Sequence, residues 1–324
     1  MNTILITGIH GFVGTNLVKT YKSQYDIYGL DIISPKTEGV ISTFEWNDLT
    51  QLPEVDSIIH LAGKAHDTKD LTNSQIYFEI NTELTKKIYN WFLQSKAKKF
   101  IFLSSVKAAA DMVSGILTED VIPSPKGPYG ESKLAAEKYI LDNLPKDKQV
   151  YILRPCMIHG PGNKGNLNLL YKIVMKGIPW PLGKFDNKRS FFSIYNLSFI
   201  ISNLIEKDIE PGIYQVADDE ALSTNELIRL IASSQKRKAK IWNVPNQLVK
   251  FSAKTGDYLH LPLNSERLRK LTESYVVSNK KLKNALGITK MSVSAEEGFK
   301  KTFKSFQKSL LSDKNTKLKI YEFN

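Results

Sequence analysis

Short apolar runs alternate with longer amphipathic stretches through the first half of the chain. The runs at 3–7, 26–30, 57–61, 99–103 and 150–153 predict strands. The stretches at 13–22, 74–95 and 132–143 predict helices between them. Strands that alternate with helices imply βαβ units and a parallel sheet. Runs as apolar as Ile4-Leu5-Ile6 and Ile58-Ile59 suit a sheet covered on both faces, so the fold class expected is α/β, a doubly wound parallel sheet. Past about residue 155 the texture changes. Gly160-Pro161-Gly162, Pro179 and Pro181 punctuate the chain, and Ser223-x-x-Glu226 and Ser294-x-x-Glu297 are capping boxes that start two helices. Phe299, Phe303, Phe306 and Leu310 then recur at spacings of 4, 3 and 4, one apolar face of a terminal helix. Docking on its own domain is the reading favoured for that helix, with a membrane-lying helix as the other.

Composition narrows the class. The chain has 324 residues, enough for about two domains and a sizeable core. Apolar residues make up 42% and charged residues 24%, ordinary globular values that exclude disorder, collagen and coiled coil. A single cysteine, Cys156, excludes an intrachain disulfide and a cysteine zinc site. No run of 18 apolar residues spans a membrane, and the start of the chain reads straight into a strand without a secretory leader. A cytoplasmic protein is expected. The net charge is +12. Residues 299–324 hold seven lysines and two acids, and Lys236-Arg237-Lys238 is a second cluster. These are read as solvated faces of a lysine-rich protein, with no nucleic-acid partner.

Candidate chemistry begins at the first strand. It runs into Thr7-Gly8-Ile9-His10-Gly11-Phe12-Val13-Gly14, glycines spaced G-x-x-G-x-x-G before a helix. Gly8 permits a tight turn, Gly11 lets the backbone approach a pyrophosphate, and Gly14 allows close helix–strand packing. The pyrophosphate then meets free N–H groups at the helix start. Asp31 ends the second strand, 23 residues after Gly8. A carboxylate there binds ribose hydroxyls and repels a 2′-phosphate, which favours NAD over NADP.

A second signal is Tyr129-Gly130-Glu131-Ser132-Lys133. Tyrosine and lysine at i and i+4 share a helix face. A phenol with a pKa near 10 is a poor base, and a nearby ammonium favours the phenolate. The strand at 99–103 ends in Ser104-Ser105, at the sheet edge outside which ligands of open α/β sheets bind.

Together these motifs resemble the extended short-chain dehydrogenase/reductase superfamily, in particular the NAD-dependent epimerase/dehydratase family that acts on nucleotide sugars. The resemblance runs from Thr3 to about Leu286. Thr7-Gly8-x-x-Gly11-Phe12-x-Gly14 is similar to the family's glycine loop, and His10 and Val13 fall inside it. Asp48-Leu49 resembles its adenine-contacting pair, and His60-Leu61-Ala62-Gly63 the segment under the cofactor. Asn81 and Thr85 resemble its Asn helix, and Leu153-Arg154-Pro155 with Gly160-Pro161-Gly162 the segment leading to the substrate domain. The resemblance implies a Rossmann-type domain over 1–158 with a strand/helix return near 190–216. It implies a smaller mixed α/β substrate domain over 159–324, ending in a basic helix and tail. It makes Ser105, Tyr129 and Lys133 catalytic, and adds Ser104, Tyr129, Lys133 and Pro155 to the residues that hold NAD. It assigns the substrate to Ser105, Lys107, Asn166, Leu167 and Arg189, the guanidinium matching a diphosphate. It also implies a homodimer built on the helices near Asn81 and Tyr129. Tyr89, Trp91 and Phe92 serve either that contact or the core.

Departures from the pattern separate the reactions. Family 4,6-dehydratases carry Asp-Glu just after the catalytic hydroxyl; Val106 and Lys107 stand there, so dehydration is not expected. Ala109-Ala110, Met157 and His159 also depart, which weakens a direct transfer from UDP-galactose 4-epimerases. The chain looks closest to a bacterial surface-polysaccharide branch. The expected activity is a UDP-hexose or UDP-N-acetylhexosamine 4-epimerase working through a 4-keto intermediate. An NAD(P)H-dependent UDP-4-keto-6-deoxy-hexosamine 4-reductase is the alternative, and a non-catalytic NAD-sensing or RNA-binding protein the remote one. The His10 side chain is expected to face solvent. Cys156, Trp180, Phe191 and Phe192 are expected in packing, with Lys107 and His66 open between substrate and solvent.

Overall fold

The structure is a computed structural model that describes residues 2–64, 74–163, 165–259 and 264–321, with side chains to residue 308. The chain divides into two units. The first comprises Met1–Cys156, Asn196–Ala217 and Val277–Ser292, and the second comprises Met157–Tyr195, Asp218–Val276 and Val293–Asn324.

The first unit is built on β1 (Thr3–Thr7), α1 (Phe12–Tyr21), β2 (Asp26–Asp31), β3 (Ser42–Glu45) and β4 (Ser57–His60). It continues through α2 (Gln75–Phe78), a π-helical turn (Glu79–Glu83), α3 (Leu84–Gln94), β5 (Lys99–Leu103), β6 (Ile116–Leu117), α4 (Pro128–Asp142) and β7 (Gln149–Pro155). After β8 (Met157–His159), α5 (Asn166–Met175) and β9 (Phe191–Ser193) of the second unit, the chain returns through α6 (Ile194–Glu206) and β10 (Gly212–Val216). Seven strands form one parallel sheet in the order β10-β7-β5-β4-β1-β2-β3. The direction of winding reverses between β1 and β4. That is the switch point at which a doubly wound sheet opens a crevice at its carboxyl edge.

The five strands expected from the sequence all form. The edge strand β3 was not expected, because its Ser-Thr-Phe-Glu sequence has one apolar residue and no apolar run. Helix α4 starts earlier than 132. Gly127 (φ +101°) turns the chain, and Pro128 supplies the fixed φ of a first helical residue. Tyr129 therefore lies in the first turn of the helix that carries Lys133. Under the sheet, Leu5, Ile58, Phe100, Phe102 and Ile152 pack with Ile88, Tyr89 and Phe92 of α3. Tyr89 and Phe92 are fully buried here, and the Tyr89 hydroxyl donates to the carbonyls of Ile140 and Asn143, so both are core. Trp91 is half-buried against the same cluster.

The second unit adds α7 (Thr224–Ser234), α8 (Asn246–Leu259), α9 (Ser265–Thr272) and α11 (Ala295–Tyr321), while α10 (Lys280–Leu286) belongs to the first. The Ser223 capping box forms in both directions with Glu226. Phe299, Phe303 and Phe306 of α11 are buried against Leu167, Tyr171, Leu227 and Ile231, so the terminal helix docks on its own unit; the Leu310 side chain lies outside the described residues. Phe299 stacks flat on the buried ring of His159 at 3.9 Å. Trp180, Phe191 and Phe192 are buried as expected, and so is Cys156.

Candidate active site

The glycine loop is forced by space. Gly8 has φ +67°, and a Cβ there meets the backbone of Ala62 at 2.8 Å. A Cβ on Gly14 meets the carbonyl oxygens of Ile9 at 2.4 Å and Gly8 at 2.6 Å, so α1 can start this close to β1 only with glycine. Among the described residues no side chain caps the start of α1, and its first turn (Phe12, Val13 and Gly14 onward) holds no acid. These N–H groups and the helix dipole favour an anion. Asp31 fixes the loop from β2. Its Oδ2 accepts from the His10 amide at 2.9 Å and its Oδ1 from the Ile32 amide at 2.8 Å. His10 does not turn to solvent as expected. It is half-buried, with Nε2 shielded and without a hydrogen-bond partner among the described residues. Asp48 and Leu49 open a short 3₁₀ turn behind β3, where Gln51 donates to Asp48 and Leu49 packs on the core.

Past β4, the segment 61–64 is held by a chain of hydrogen bonds. The Thr85 hydroxyl donates to the Asn81 carbonyl at 2.7 Å, so it accepts from His60 Nε2 at 2.8 Å. His60 Nδ1 is then an acceptor for the Thr7 hydroxyl at 2.6 Å, and Thr7 Oγ1 accepts from the Leu61 and Ala62 amides. Burial keeps the His60 ring well below the usual histidine range, so it stays neutral and one tautomer is fixed. Asn81 lies in the π-helical turn; its Oδ1 accepts from the Lys64 amide and its Nδ2 donates to Ser132 of α4. Gly63 leaves room for both neighbours: a Cβ meets Asn81 Oδ1 at 2.9 Å and Lys133 Nζ at 3.1 Å.

Ser105, Tyr129 and Lys133 come together at the carboxyl end of β5. Tyr129 is hydrogen-bonded to Ser105, and its ring meets Tyr77 edge-on at 6.3 Å. Lys133 is buried; its Nζ donates to the Leu103 carbonyl at 3.0 Å and sits 4.9 Å over the Phe102 ring. Burial pulls its pKa down from 10.5 to about 8, with Glu137 opposing. The Tyr129 pKa is raised, chiefly by burial, with the Ser105 bond lowering it. The expected lowering by Lys133 is therefore not what governs this phenol. The ammonium is held by the Leu103 carbonyl, and desolvation of the phenolate dominates. Lys107 has a partner of its own in the loop after β5. Its ammonium bonds the Asp111 carbonyl at 2.9 Å and lies 3.4 Å from the Asp111 carboxylate. Pro155 closes β7 beside Val216 of β10. His66 lies outside the described residues.

Sequence reading missed the support behind this pair. Glu137, one turn beyond Lys133, is fully buried and held by Arg154 of β7. Arg154 Nη2 reaches Oε2 at 2.6 Å and Nε reaches Oε1 at 3.0 Å, while the Ser104 hydroxyl donates to the same carboxylate. The signal was present as i, i+4, i+8 spacing from Tyr129 through Lys133 to Glu137 on one helix face.

In the second unit, Asn166 is exposed at the start of α5. Leu167 sends its side chain into the core, which leaves its main-chain amide as the group it can offer. Arg189 is half-buried and donates through Nη1 to the Lys270 carbonyl at 2.9 Å.

Residues 4–217 match the model of the NAD dependent epimerase/dehydratase family. The chain belongs to this family. A UDP-glucose 4-epimerase of Vibrio cholerae is 34% identical over 322 residues, covering 94% of this chain and 95% of that protein. An N-acetyl-α-D-glucosaminyl-diphospho-ditrans,octacis-undecaprenol 4-epimerase of Escherichia coli is 26% identical, covering 76% of each. The fold is shared with the Bordetella bronchiseptica enzyme WbmG, solved in complex with NAD and UDP. That match has a TM-score of 0.75 at 18% identity, and covers 94% of this chain and 95% of that one. The NAD of this family fits the residues present. The cradle of Gly8, Gly11 and Gly14 has no room for a Cβ at its two ends, the α1 amides lack a side-chain cap, and Asp31 stands at the end of β2.

Proposed function

We propose that this protein is a nucleotide-sugar 4-epimerase that takes a UDP-hexose or UDP-N-acetylhexosamine through a 4-keto sugar. The observation that supports this best is the hydrogen-bonded Ser105–Tyr129 pair beside the buried Lys133 ammonium, above the glycine loop's sheet edge. Val106, buried, stands where a dehydratase needs an acid, so elimination of water has no proton donor there. Similarity to the Vibrio cholerae UDP-glucose 4-epimerase supports the substrate class.

In this reading Tyr129 takes the proton of the sugar 4-hydroxyl and later returns it. Ser105 donates a hydrogen bond to the same oxygen, and to the phenolate when the sugar oxygen does not occupy it. Lys133, protonated at neutral pH, favours the Tyr129 phenolate against the burial that raises its pKa. The loop from Gly8 to Gly14, Asp31, the segment 61–63 and Lys133 would hold NAD. Bound NAD would supply the hydride acceptor and donor for the sugar carbon, so that no net oxidation would result. Arg189, Asn166 and the Leu167 amide are assigned to the diphosphate on the family resemblance.

The test uses purified protein without added cofactor. Denaturation is expected to release NAD, and NMR is expected to show the 4-epimer growing from UDP-glucose or UDP-N-acetylglucosamine. No conversion of either, together with NAD(P)H consumption on a UDP-4-keto-6-deoxy sugar, replaces the epimerase with a reductase.

A further inference from the structure

Helix α8 has two apolar faces, and its own unit covers one of them. Val249 and Ala253 point inward and pack with Trp180, Leu182, Ile228 and Leu268. The other face carries Leu248, Phe251, Tyr258 and Leu259, which are 58%, 71%, 85% and 57% exposed. At helical spacing these four fall within an arc of about 100°, turned away from the buried stripe. Lys250 and Lys254, both exposed, border that arc on one side. Of the nearby acids, Asp257 accepts from the amide and hydroxyl of Ser265 at the start of α9, and Glu266 is paired with Lys270.

Charge adds a second, independent observation. The second unit holds 23 Lys and Arg against 12 Asp and Glu, so it carries +11 of the chain's +12. An aromatic and aliphatic stripe edged by lysines, on a strongly basic body, fits the interface of an anionic bilayer. On such a surface the rings would lie at headgroup level, and the lysine stems would carry their ammonium groups to the phosphates. A nucleic-acid surface needs the charge and has no use for exposed leucines. Two copies docked through this face bring like charges together.

We propose that α8 is a peripheral docking helix that seats the second unit on a membrane of anionic phospholipid. It lies on the surface; among the described residues no helix is long and apolar enough to cross a membrane. The proposal does not depend on which sugar the enzyme turns over.

The full chain is tested by sedimentation with vesicles of phosphatidylcholine alone, or with about a third phosphatidylglycerol. The expected result is pelleting with the anionic vesicles and not with phosphatidylcholine. Phe251→Glu with Tyr258→Glu is expected to lower the bound fraction about tenfold, with the unfolding midpoint and turnover unchanged. Leu248→Ser with Leu259→Ser serves as a second, milder pair with the same expectation. Failure of the wild type to pellet with anionic vesicles overturns the proposal, as does wild-type pelleting by both double variants. A dimer that the variants convert to monomer in light scattering assigns the face to a second copy instead. Duplex DNA binding that the same variants abolish assigns it to nucleic acid.

Discussion

Lys133 is a charged group placed where charge is unwelcome, and its titration can be read as stability. In the unfolded chain it holds its proton to about 10.5; in the folded protein burial lowers that to about 8. Between these values the unfolded chain binds the proton that the folded protein has released, so this group makes stability rise with pH across that window. Lys133→Met is therefore expected to be more stable than wild type at pH 7, with the advantage shrinking by about 3 kcal/mol by pH 10.5. Urea unfolding of both proteins at several pH values checks this. Glu137 works the other way, since it favours the Lys133 ammonium. Glu137→Gln leaves Arg154 buried without its counter-charge and is expected to cost about 3–5 kcal/mol in denaturant unfolding. The same change is expected to move the alkaline limb of the turnover pH profile downward, a shift that lost packing alone does not give. Asp31 also has two tasks. It stands where a ribose is expected and it pins the His10 amide, so replacing it to admit a phosphorylated ribose also loosens the loop.

At the scale of elements, two helices end on the same device. Lys148 Nζ donates to the carbonyls of Phe92, Leu93 and Ser95 at the end of α3, and Lys99 Nζ to those of Leu204, Ile205 and Lys207 at the end of α6. An ammonium at a helix C-terminus satisfies orphan carbonyls and opposes the dipole. Lys148→Met is expected to cost about 1–2 kcal/mol in thermal unfolding. No sequence pattern announced either cap, because Lys148 reaches its carbonyls across at least 53 residues and Lys99 across at least 105. Elements set by local periodicity were legible: β1, β2, β4, β5, β7 and the face of α11. The start of α4 was not, since Gly127-Pro128 reads as a turn until the positive-φ glycine is seen to lead into the helix. The edge strand β3 has no pattern of its own and is defined by β2 beside it. At the site, the glycine loop and the Tyr–Lys spacing were visible in the sequence. The Asp111 partner of Lys107 and the Glu137–Arg154 pair were not, because tertiary contact makes them.

At the scale of the whole molecule, charge is divided unequally. The first unit is close to neutral and the second carries +11. For a dianionic nucleotide sugar this field raises the encounter rate, and salt screens it. Raising ionic strength from low to about 0.5 M is expected to increase KM several-fold with kcat nearly unchanged; steady-state assays of the epimerisation decide it. The path of the chain has a consequence of a different kind. Each unit is assembled from three separate stretches of sequence, and the sheet's last strand, β10, ends at Val216. A ribosome must therefore synthesise well over half the protein before the edge of β7 is covered. A gene fragment ending after β8 encodes a sheet with that edge bare, so the nucleotide-binding half cannot be passed between genes as one contiguous cassette.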